Sequence, residues 1–279
     1  MHIRSYAKIN WSLRITAKRA DGYHDLETLF QTISLHDELT ITPAERLSLE
    51  CDDHGVPTDD TNLVIRAARA IGAPPVRIEL KKRIPAGGGL GGGSSNAAAT
   101  LIALDSMFGL HARLPEISLS LGSDVPFFLV GGTAYATGRG EKLTRLPAAA
   151  PIPLLLVLPE ERVSTAEAFS LIGSYSKPVG IERYREILEE DLLAHGELLT
   201  NDFEQPVFAR IPKLREYKHR LLAAGAAWAG MSGSGSTIVG AFRSQALRDA
   251  AVPAFQDVRS EPAETIDVRP RDFEAQART

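Results

Sequence analysis

A run of seven residues from Gly87 to Gly93, GGGLGGG, contains six glycines and constrains the fold more than any other part of the chain. Each glycine gives the unfolded chain about 0.4–1 kcal/mol more backbone freedom to lose on folding than an alanine would. Six glycines in one loop therefore cost a sizeable part of the roughly 5–15 kcal/mol by which a typical domain is stable. We expect a loop that carries this cost to have a function.

The segments on either side of the loop indicate that function. Residues 76–80, VRIEL, alternate in polarity and are rich in β-branched residues, which predicts a strand that continues to Ile84. After the loop, apolar residues recur at helical spacing, and Ser94 is placed to cap the helix that they predict. A glycine loop between a strand and a helix N-terminus presents backbone N–H groups to an anion. We interpret it as a phosphate-binding site, although a tight turn or a flexible linker is also rich in glycine.

Composition narrows the class of protein. A chain of 279 residues holds one large domain or two smaller ones, and its net charge of −4 gives no broad basic surface for nucleic acid. Cys51 is the one cysteine, which excludes an internal disulfide and a cysteine-cluster metal site. The N-terminal residues carry charges rather than an apolar signal region, and the longest apolar run, residues 151–159, is too short to span a bilayer. We expect a cytoplasmic protein with no nucleic-acid or membrane partner.

Helices and strands alternate along the chain without a regular βαβ repeat, which favours an α+β fold. The proline- and alanine-rich stretch LPAAAPIP, residues 146–153, predicts a boundary between two domains, residues 1–150 and 151–279. Within these domains Ser123 is predicted to cap a short helix, and residues 180–195 are predicted to be helical.

The standard phosphate-binding motifs fit the loop poorly. A Walker A loop ends in Gly-Lys-Ser/Thr, and no such tripeptide occurs in the chain. Gly87, Gly89 and Gly92 match the dinucleotide motif G-x-G-x-x-G, but a loop this rich in glycine matches it almost automatically. That motif also expects an acid at the end of a second strand about 20 residues on. The nearest candidate, Asp105, falls inside the predicted helix.

The loop therefore lacks its own cation, and phosphoryl transfer requires cations and a group that positions the nucleophile. Lys8 interrupts an apolar strand pattern beside another polar residue, Asn10, but a lysine on an edge strand would give the same pattern. Asp124 stands at a predicted helix start, where the helix dipole alone would also favour an acid. The residue pattern leaves both alternatives open.

Four segments together resemble the GHMP kinase superfamily, and more narrowly its branch that acts on a CDP-linked methylerythritol. They are AKIN with RADGYHDLETLF (within residues 7–30), IPAGGGLGGGSSNAAA (84–99), LGSDVPFFLVGGTAYATGRGEKL (121–143) and MSGSGSTIVG (231–240). The AKIN and DGYH pieces are the more specific to this branch. The resemblance implies a two-domain α+β GHMP kinase fold, with an N-terminal domain like the second domain of ribosomal protein S5 and a ferredoxin-like C-terminal domain.

The resemblance also implies roles for individual residues. Lys8 and Asp124 would be the catalytic pair, with Asp124 accepting or orienting the proton of the substrate hydroxyl. Tyr23 would stack on the cytidine and His24 would hydrogen-bond to the base edge. The residues that would bind ATP are Pro85, Ala86, Gly87, Gly88, Gly89, Leu90, Gly91, Gly92, Gly93, Ser94 and Ser95. The residues that would bind the second substrate are Asn10, Tyr23, His24, Gly233 and Ser234.

The implied reaction is transfer of the γ-phosphate of ATP to the 2-hydroxyl of a CDP-linked methylerythritol, in the non-mevalonate route to isoprenoid precursors. The implied cofactors are ATP and Mg²⁺, with no dedicated metal cage of protein residues, and the expected state is a monomer or weak homodimer. Homoserine- and mevalonate-type kinases share the loop but need no DGYH segment. A nicotinamide oxidoreductase rests on G-x-G-x-x-G alone, and the acidic balance argues against an RNA-binding module.

Overall fold

The structure, a computed structural model, describes residues 1–268; residues 269–279, the end of the predicted second domain, lie outside the described residues. The first half contains β1 (His2–Lys18), β2 (His24–Pro43), β3 (Ser48–Cys51), α1 (Leu63–Ala70), β4 (Val76–Lys81), α2 (Gly92–Phe108), α3 (Leu114–Leu121), α4 (Val125–Val130), β5 (Thr133–Thr137) and β6 (Lys142–Leu146). The second half contains β7 (Pro153–Val157), α5 (Thr165–Ser170), α6 (Ile181–Glu189), α7 (Glu204–Arg210), α8 (Pro212–Ala223), β8 (Trp228–Met231), β9 (Ile238–Ala241), α9 (Gln245–Ala251) and β10 (Ser260–Glu264).

The first sheet is built around the long β1–β2 hairpin. Strand β2 pairs along its length with β1, and it also pairs with β5 near one end and with β4 near the other. All three pairings are antiparallel. Helix α2 packs against β1, β2 and the other helices of this half, so its middle is a run of buried small and apolar residues. No helix within residues 1–268 is both long and apolar enough to cross a membrane.

The second sheet has the strand order β10-β7-β9-β8, with every neighbouring pair antiparallel. Helices α5–α8 connect β7 to β8, and α9 connects β9 to β10. This is the β-α-β-β-α-β arrangement of a ferredoxin-like fold. The ferredoxin-like prediction for the second half is confirmed by this order.

The β1–β2 hairpin joins the two halves. The backbone N–H of Leu13 donates to Thr200 O at 2.8 Å, and that of Asp202 donates to Leu13 O at 2.9 Å. Trp11 lies in one buried cluster with residues of both sheets and stacks edge-on against Trp228 at 5.0 Å between centroids. The two halves therefore share a core, and the predicted boundary at residues 146–153 falls between β6 and β7.

Two predictions beside the glycine loop were wrong. Strand β4 ends at Lys81 rather than at Ile84, because the N–H groups of Arg83 and Ile84 donate to the Asp37 carboxylate instead of a neighbouring strand. Ser94 is not the cap of α2. The helix begins at Gly92, since Gly91 takes the cap position in a left-handed conformation and brings the serines inside the first turn.

Two further helix predictions need correction. Ser123 does not cap α4; Asp124 holds the cap position, without a side-chain cap bond, and the helix begins at Val125. The predicted helix over residues 180–195 is interrupted after Glu189. There the Asp191 side chain accepts from Leu193 N and starts a separate 3-10 turn.

Candidate active site

Strand β1 delivers two polar side chains to the same place. Its register against β2 shifts between Tyr6 and Lys8 and again between Asn10 and Ser12. Such bulges bend a strand and re-aim its side chains. Because alternate residues share a face, the two-residue spacing turns Lys8 and Asn10 to one side. Both side chains are buried. Among the strands of residues 1–268, β1 pairs with β2 alone and is an edge strand of the sheet, but the Lys8 side chain is buried instead of facing solvent.

The glycine loop lies directly over Lys8. The backbone N–H of Lys8 donates to Leu90 O at 3.0 Å. Gly91 has a φ of +71°, and a Cβ there would come within 2.7 Å of Phe128 and 3.2 Å of the Lys8 side chain. Glycine is thus required because the loop, the lysine and α4 meet at this point.

A second glycine-rich loop, residues 232–236, packs on the first. Gly89 has a φ of +78°, and a Cβ on it would collide with the backbone carbonyl of Ser232. The Ser232 hydroxyl donates to Gly89 O at 2.9 Å, and the N–H of Thr237 donates to Gly88 O at 3.2 Å. The second loop thus binds carbonyl oxygens of the first loop. The N–H groups of the first turn of α2 have no partner within the helix.

Lys8 and Asp124 are brought together from opposite ends of the N-terminal half. Lys8 Nζ lies 3.8 Å from Asp124 Oδ2; the lysine side chain is 4% exposed and the aspartate side chain 41% exposed. Burial lowers the pKa of Lys8, and the nearby Asp124 carboxylate opposes that shift by favouring the charged ammonium. The pair is loose enough for a carboxylate oxygen to reach a hydroxyl in the adjoining space.

That space is a cavity of about 930 Å³. It is lined by Lys8, Asn10, Tyr23, His24, Asp124, Gly233, Ser234 and the residues of 85–94 other than Leu90. The predicted site residues outside this lining are Leu90 and Ser95. The Leu90 side chain is buried in the core, and the Ser95 hydroxyl donates to Tyr6 O at 2.6 Å. Ser94 is thus the loop serine whose hydroxyl is available to the cavity.

The far end of the cavity is aromatic. The His24 ring stacks on Phe169 at 4.9 Å with the two planes 12° apart, and Tyr175 lies 6.3 Å from His24. The exposed Tyr23 ring is covered on one side by the Arg139 guanidinium at 4.6 Å. Phe169, Tyr175 and Arg139 were missed from the sequence, because nothing local distinguishes them from ordinary helix, loop and turn residues.

His24 is suited to hydrogen bonding in its neutral form. Burial, helped by the nearby Lys18 charge, lowers the pKa of His24 from its ordinary value. A neutral imidazole offers one donor and one acceptor nitrogen. This pattern can match a pyrimidine edge that also presents both kinds of group.

The residues at the glycine-loop end of the cavity fit a nucleoside triphosphate with its cation. The loop offers backbone N–H groups without side chains in the way, and the Ser94 hydroxyl is an oxygen ligand of the kind that Mg²⁺ takes alongside phosphate. Within residues 1–268 there is no group of three or more His, Cys, Asp or Glu side chains that could hold a metal ion.

Comparisons with known proteins match both halves. The GHMP kinases N terminal domain matches residues 62–132, and the GHMP kinases C terminal domain matches residues 184–259. A 4-diphosphocytidyl-2-C-methyl-D-erythritol kinase of Chlorobium luteolum is 43% identical over 255 residues, covering 86% of this chain and 88% of the relative. The chain belongs to the 4-diphosphocytidyl-2-C-methyl-D-erythritol kinase family. Another member, from Solibacter usitatus, is 42% identical over 261 residues, covering 87% of this chain and 81% of its own length.

Superposition on solved structures supports the same family assignment. A crystal structure of 4-(cytidine 5'-diphospho)-2C-methyl-D-erythritol kinase superposes with a TM-score of 0.83 at 35% identity, covering 95% of this chain and 99% of that one. A homoserine kinase from Cytophaga hutchinsonii superposes with a TM-score of 0.70 at 19% identity, covering 96% of each chain, which shows a shared fold only. The predicted GHMP kinase fold and the family resemblance are confirmed.

Proposed function

We propose that this chain transfers the γ-phosphate of ATP to the 2-hydroxyl of 4-diphosphocytidyl-2-C-methyl-D-erythritol, giving the 2-phosphate and ADP, in the non-mevalonate route to isoprenoid precursors. The observation that carries the proposal is one cavity with a glycine loop and a Lys8–Asp124 pair at one end and the His24–Phe169 stack at the other. Relatives about 40% identical over most of the chain carry this name.

The Lys8–Asp124 pair supports the chemical step. The substrate hydroxyl oxygen forms a bond to the γ-phosphorus as the bond from that phosphorus to the β,γ-bridging oxygen breaks, and the hydroxyl proton passes to Asp124. Asp124 takes up this proton as the bond from oxygen to phosphorus forms. Lys8 offsets charge on the transferring group. ATP and Mg²⁺ supply the activated phosphoryl group and the remaining positive charge.

The aromatic end supports selection of a cytidine. A base placed beside Tyr23 and Phe169 would stack on a ring, and neutral His24 would bond to its edge. Stacking tolerates any base, whereas donors and acceptors on the base edge distinguish one from another. Homoserine and mevalonate have no base to fill this end of the cavity, which favours the cytidine-linked substrate over those two alternatives.

The oxidoreductase alternative has no structural support. Dinucleotide-binding folds place the glycine loop in a parallel βαβ unit. Here β4, which precedes the loop, pairs antiparallel with β2 and parallel with β3, and both of these strands come before it in the chain. Within residues 1–268 no strand after α2 pairs with β4, so the loop does not lie in such a unit. Asp105, the candidate ribose-binding acid, instead accepts the N–H of Ala112 at 2.8 Å and holds the turn after α2.

The test is an ADP-release assay with purified protein, ATP and Mg²⁺, offered separately 4-diphosphocytidyl-2-C-methyl-D-erythritol, homoserine and mevalonate. We expect release with the cytidine-linked alcohol alone. Release with homoserine or mevalonate and none with the cytidine-linked alcohol would move the chain to another branch of the superfamily. The Asp124→Asn variant is the control for a contaminating kinase. The Mg²⁺ requirement, the monomer or weak homodimer and the cytoplasmic location remain predictions.

A further inference from the structure

A chain of buried hydrogen bonds runs from Lys8 into the sheet. Lys8 Nζ donates to Asn10 Oδ1 at 2.7 Å, and Asn10 Nδ2 donates to Thr28 Oγ1 at 2.7 Å. Thr28 Oγ1 in turn donates to the backbone carbonyl of Ser12 at 2.6 Å. Lys8, Asn10 and Thr28 are at most 3% exposed. Water therefore does not replace any of these contacts at low cost.

The direction of each bond in this chain is fixed by chemistry. The carbonyl of Ser12 only accepts, so the Thr28 hydroxyl hydrogen points to it and leaves Oγ1 as an acceptor. The Asn10 amide must then present its Nδ2 to Thr28. Its Oδ1 is thereby turned to two groups that only donate, the Lys8 ammonium and the backbone N–H of Gly233 at 3.0 Å.

We propose that Thr28 is a positioning residue for phosphoryl transfer: its hydroxyl fixes the Asn10 amide so that one oxygen holds both Lys8 and the second glycine loop. This inference rests on the proposed function, because it assigns Lys8 to the reaction. Thr28 acts through Asn10.

The same arrangement also stabilises the charged ammonium form of Lys8. Among residues 1–268, the charged group that faces Lys8 is Asp124, at 3.8 Å. Strand β2 presents the Phe30 ring at 5.2 Å, and the two glycine loops present backbone. Burial lowers the pKa of Lys8, so losing the Asn10 oxygen would lower it further. A rotated amide would place Nδ2 against the ammonium, two donors facing each other.

The first experiment compares Thr28→Val with Thr28→Ser. Valine has nearly the shape of threonine but no hydroxyl, and serine keeps the hydroxyl. We expect Thr28→Val to lower kcat by about 10²-fold, the order produced by a small misplacement of a catalytic group, with little change in the KM for ATP. The alkaline limb of its kcat–pH profile should move to lower pH. Thr28→Ser should restore kcat to within a few-fold of the parent and return the limb to its original position.

The second experiment needs no turnover. The protein is labelled with ¹³C at the ε-carbon of lysine, the Lys8 signal is assigned by its loss in Lys8→Arg, and its pKa is measured by NMR. We expect a lower Lys8 pKa in Thr28→Val and a higher one in Asn10→Asp, where a carboxylate faces the ammonium. Unchanged Lys8 titration in both variants would overturn the inference, as would a Thr28→Val enzyme with parental kcat.

These two experiments separate the inference from the proposed function. If Thr28→Val does not fold, the titration of Lys8 in Asn10→Asp decides. The Lys8 pKa must rise in that variant if residue 10 contacts Lys8 in solution. An unchanged Lys8 pKa overturns the inference. Expected NMR shifts together with no turnover of the cytidine-linked alcohol would support the positioning chain and contradict the proposed function alone.

Discussion

Two lysine–aspartate pairs lie beside the glycine loop, and they differ in how fully the carboxylate oxygens are occupied by hydrogen-bond donors. Lys82 and Asp37 are in direct contact; the Lys82 side chain is 6% exposed and the Asp37 side chain is fully buried. Asp37 also accepts from Arg83 N at 2.7 Å, Ile84 N at 2.8 Å and Asn96 Nδ2 at 2.9 Å. In the Lys8–Asp124 pair the atoms are 3.8 Å apart and the aspartate is 41% exposed. We call these the closed pair and the open pair.

Under the proposed function, the same chemical pairing serves two purposes. The closed pair has its oxygens occupied by donors, so it fixes the strand end before the loop and, through Asn96, the N-terminal part of α2. The open pair keeps a carboxylate oxygen toward the cavity, at the cost of leaving a buried ammonium less fully paired. A fully satisfied pair stabilises geometry, whereas a partly satisfied pair can bind and exchange a proton.

The largest expected effect comes from neutralising the acid of the open pair. Asp124→Asn should lower kcat by about 10²–10⁴-fold, because the substrate hydroxyl loses its proton acceptor. Steady-state ADP release measures kcat, and nucleotide binding by calorimetry checks that ATP still binds. Lys8→Ala should show the same division between turnover and ATP binding. Near-normal turnover in either variant would remove that residue from the reaction.

Neutralising the acid of the closed pair should affect stability instead. Asp37→Asn leaves the buried Lys82 charge unpaired, a change that typically costs about 3–5 kcal/mol of unfolding free energy. Urea denaturation measures this cost, and kcat of the folded fraction should stay within a few-fold of the parent. Asp60→Asn, which breaks an exposed contact with Arg69, is the control and should have little effect. Normal stability in Asp37→Asn would contradict the structural role.

The glycine loop between the pairs provides a third test. Gly89→Ala combines a left-handed backbone, which costs roughly 1–2 kcal/mol for a non-glycine residue, with a collision against the carbonyl of Ser232. We expect weaker ATP binding by calorimetry as the two loops separate. In Gly173→Ala, outside the cavity lining, the new Cβ would have nothing within 4 Å, and ATP binding should be preserved. Equal losses in both variants would show that the loop contact is unimportant.

The smallest effect should lie at the aromatic end, away from both pairs. His24→Ala removes hydrogen bonds to the base, each worth about 0.5–1.5 kcal/mol, so the KM for the cytidine-linked substrate should rise about 10-fold. The KM for ATP should not change. His54→Ala, at an exposed position, is the matched control. An unchanged KM for the cytidine-linked substrate in His24→Ala would count against base recognition by this residue.

The strands and helices were largely predictable from the sequence, because alternation and helical spacing are local patterns. The open pair needed the family resemblance, since Lys8 in a strand and Asp124 at a helix start each have an ordinary structural explanation. The sequence contains one signal for the closed pair, and it was missed. Asp37 occupies the position between Leu35 and Leu39 on the buried face of β2, where an acid requires a partner.

The remaining parts of the site depend on contacts between distant segments. Phe169 reaches His24 from the other half of the chain, and Gly233 reaches Asn10 across 223 positions. The start of α2 was misplaced because a left-handed Gly91 served as its cap, which the glycine-rich sequence alone does not single out from its neighbours.

The central claim is that the open pair, Lys8 and Asp124, catalyses transfer of a phosphoryl group from ATP to a hydroxyl of a cytidine-linked alcohol. Phosphorus-31 NMR of a mixture of the protein, ATP, Mg²⁺ and 4-diphosphocytidyl-2-C-methyl-D-erythritol tests it most directly. The account predicts a new phosphomonoester signal that grows in step with ADP, keeps the diphosphate signals of the substrate intact, and is absent with Asp124→Asn. ADP accompanied only by inorganic phosphate, or an equal phosphomonoester signal with Asp124→Asn, would contradict it.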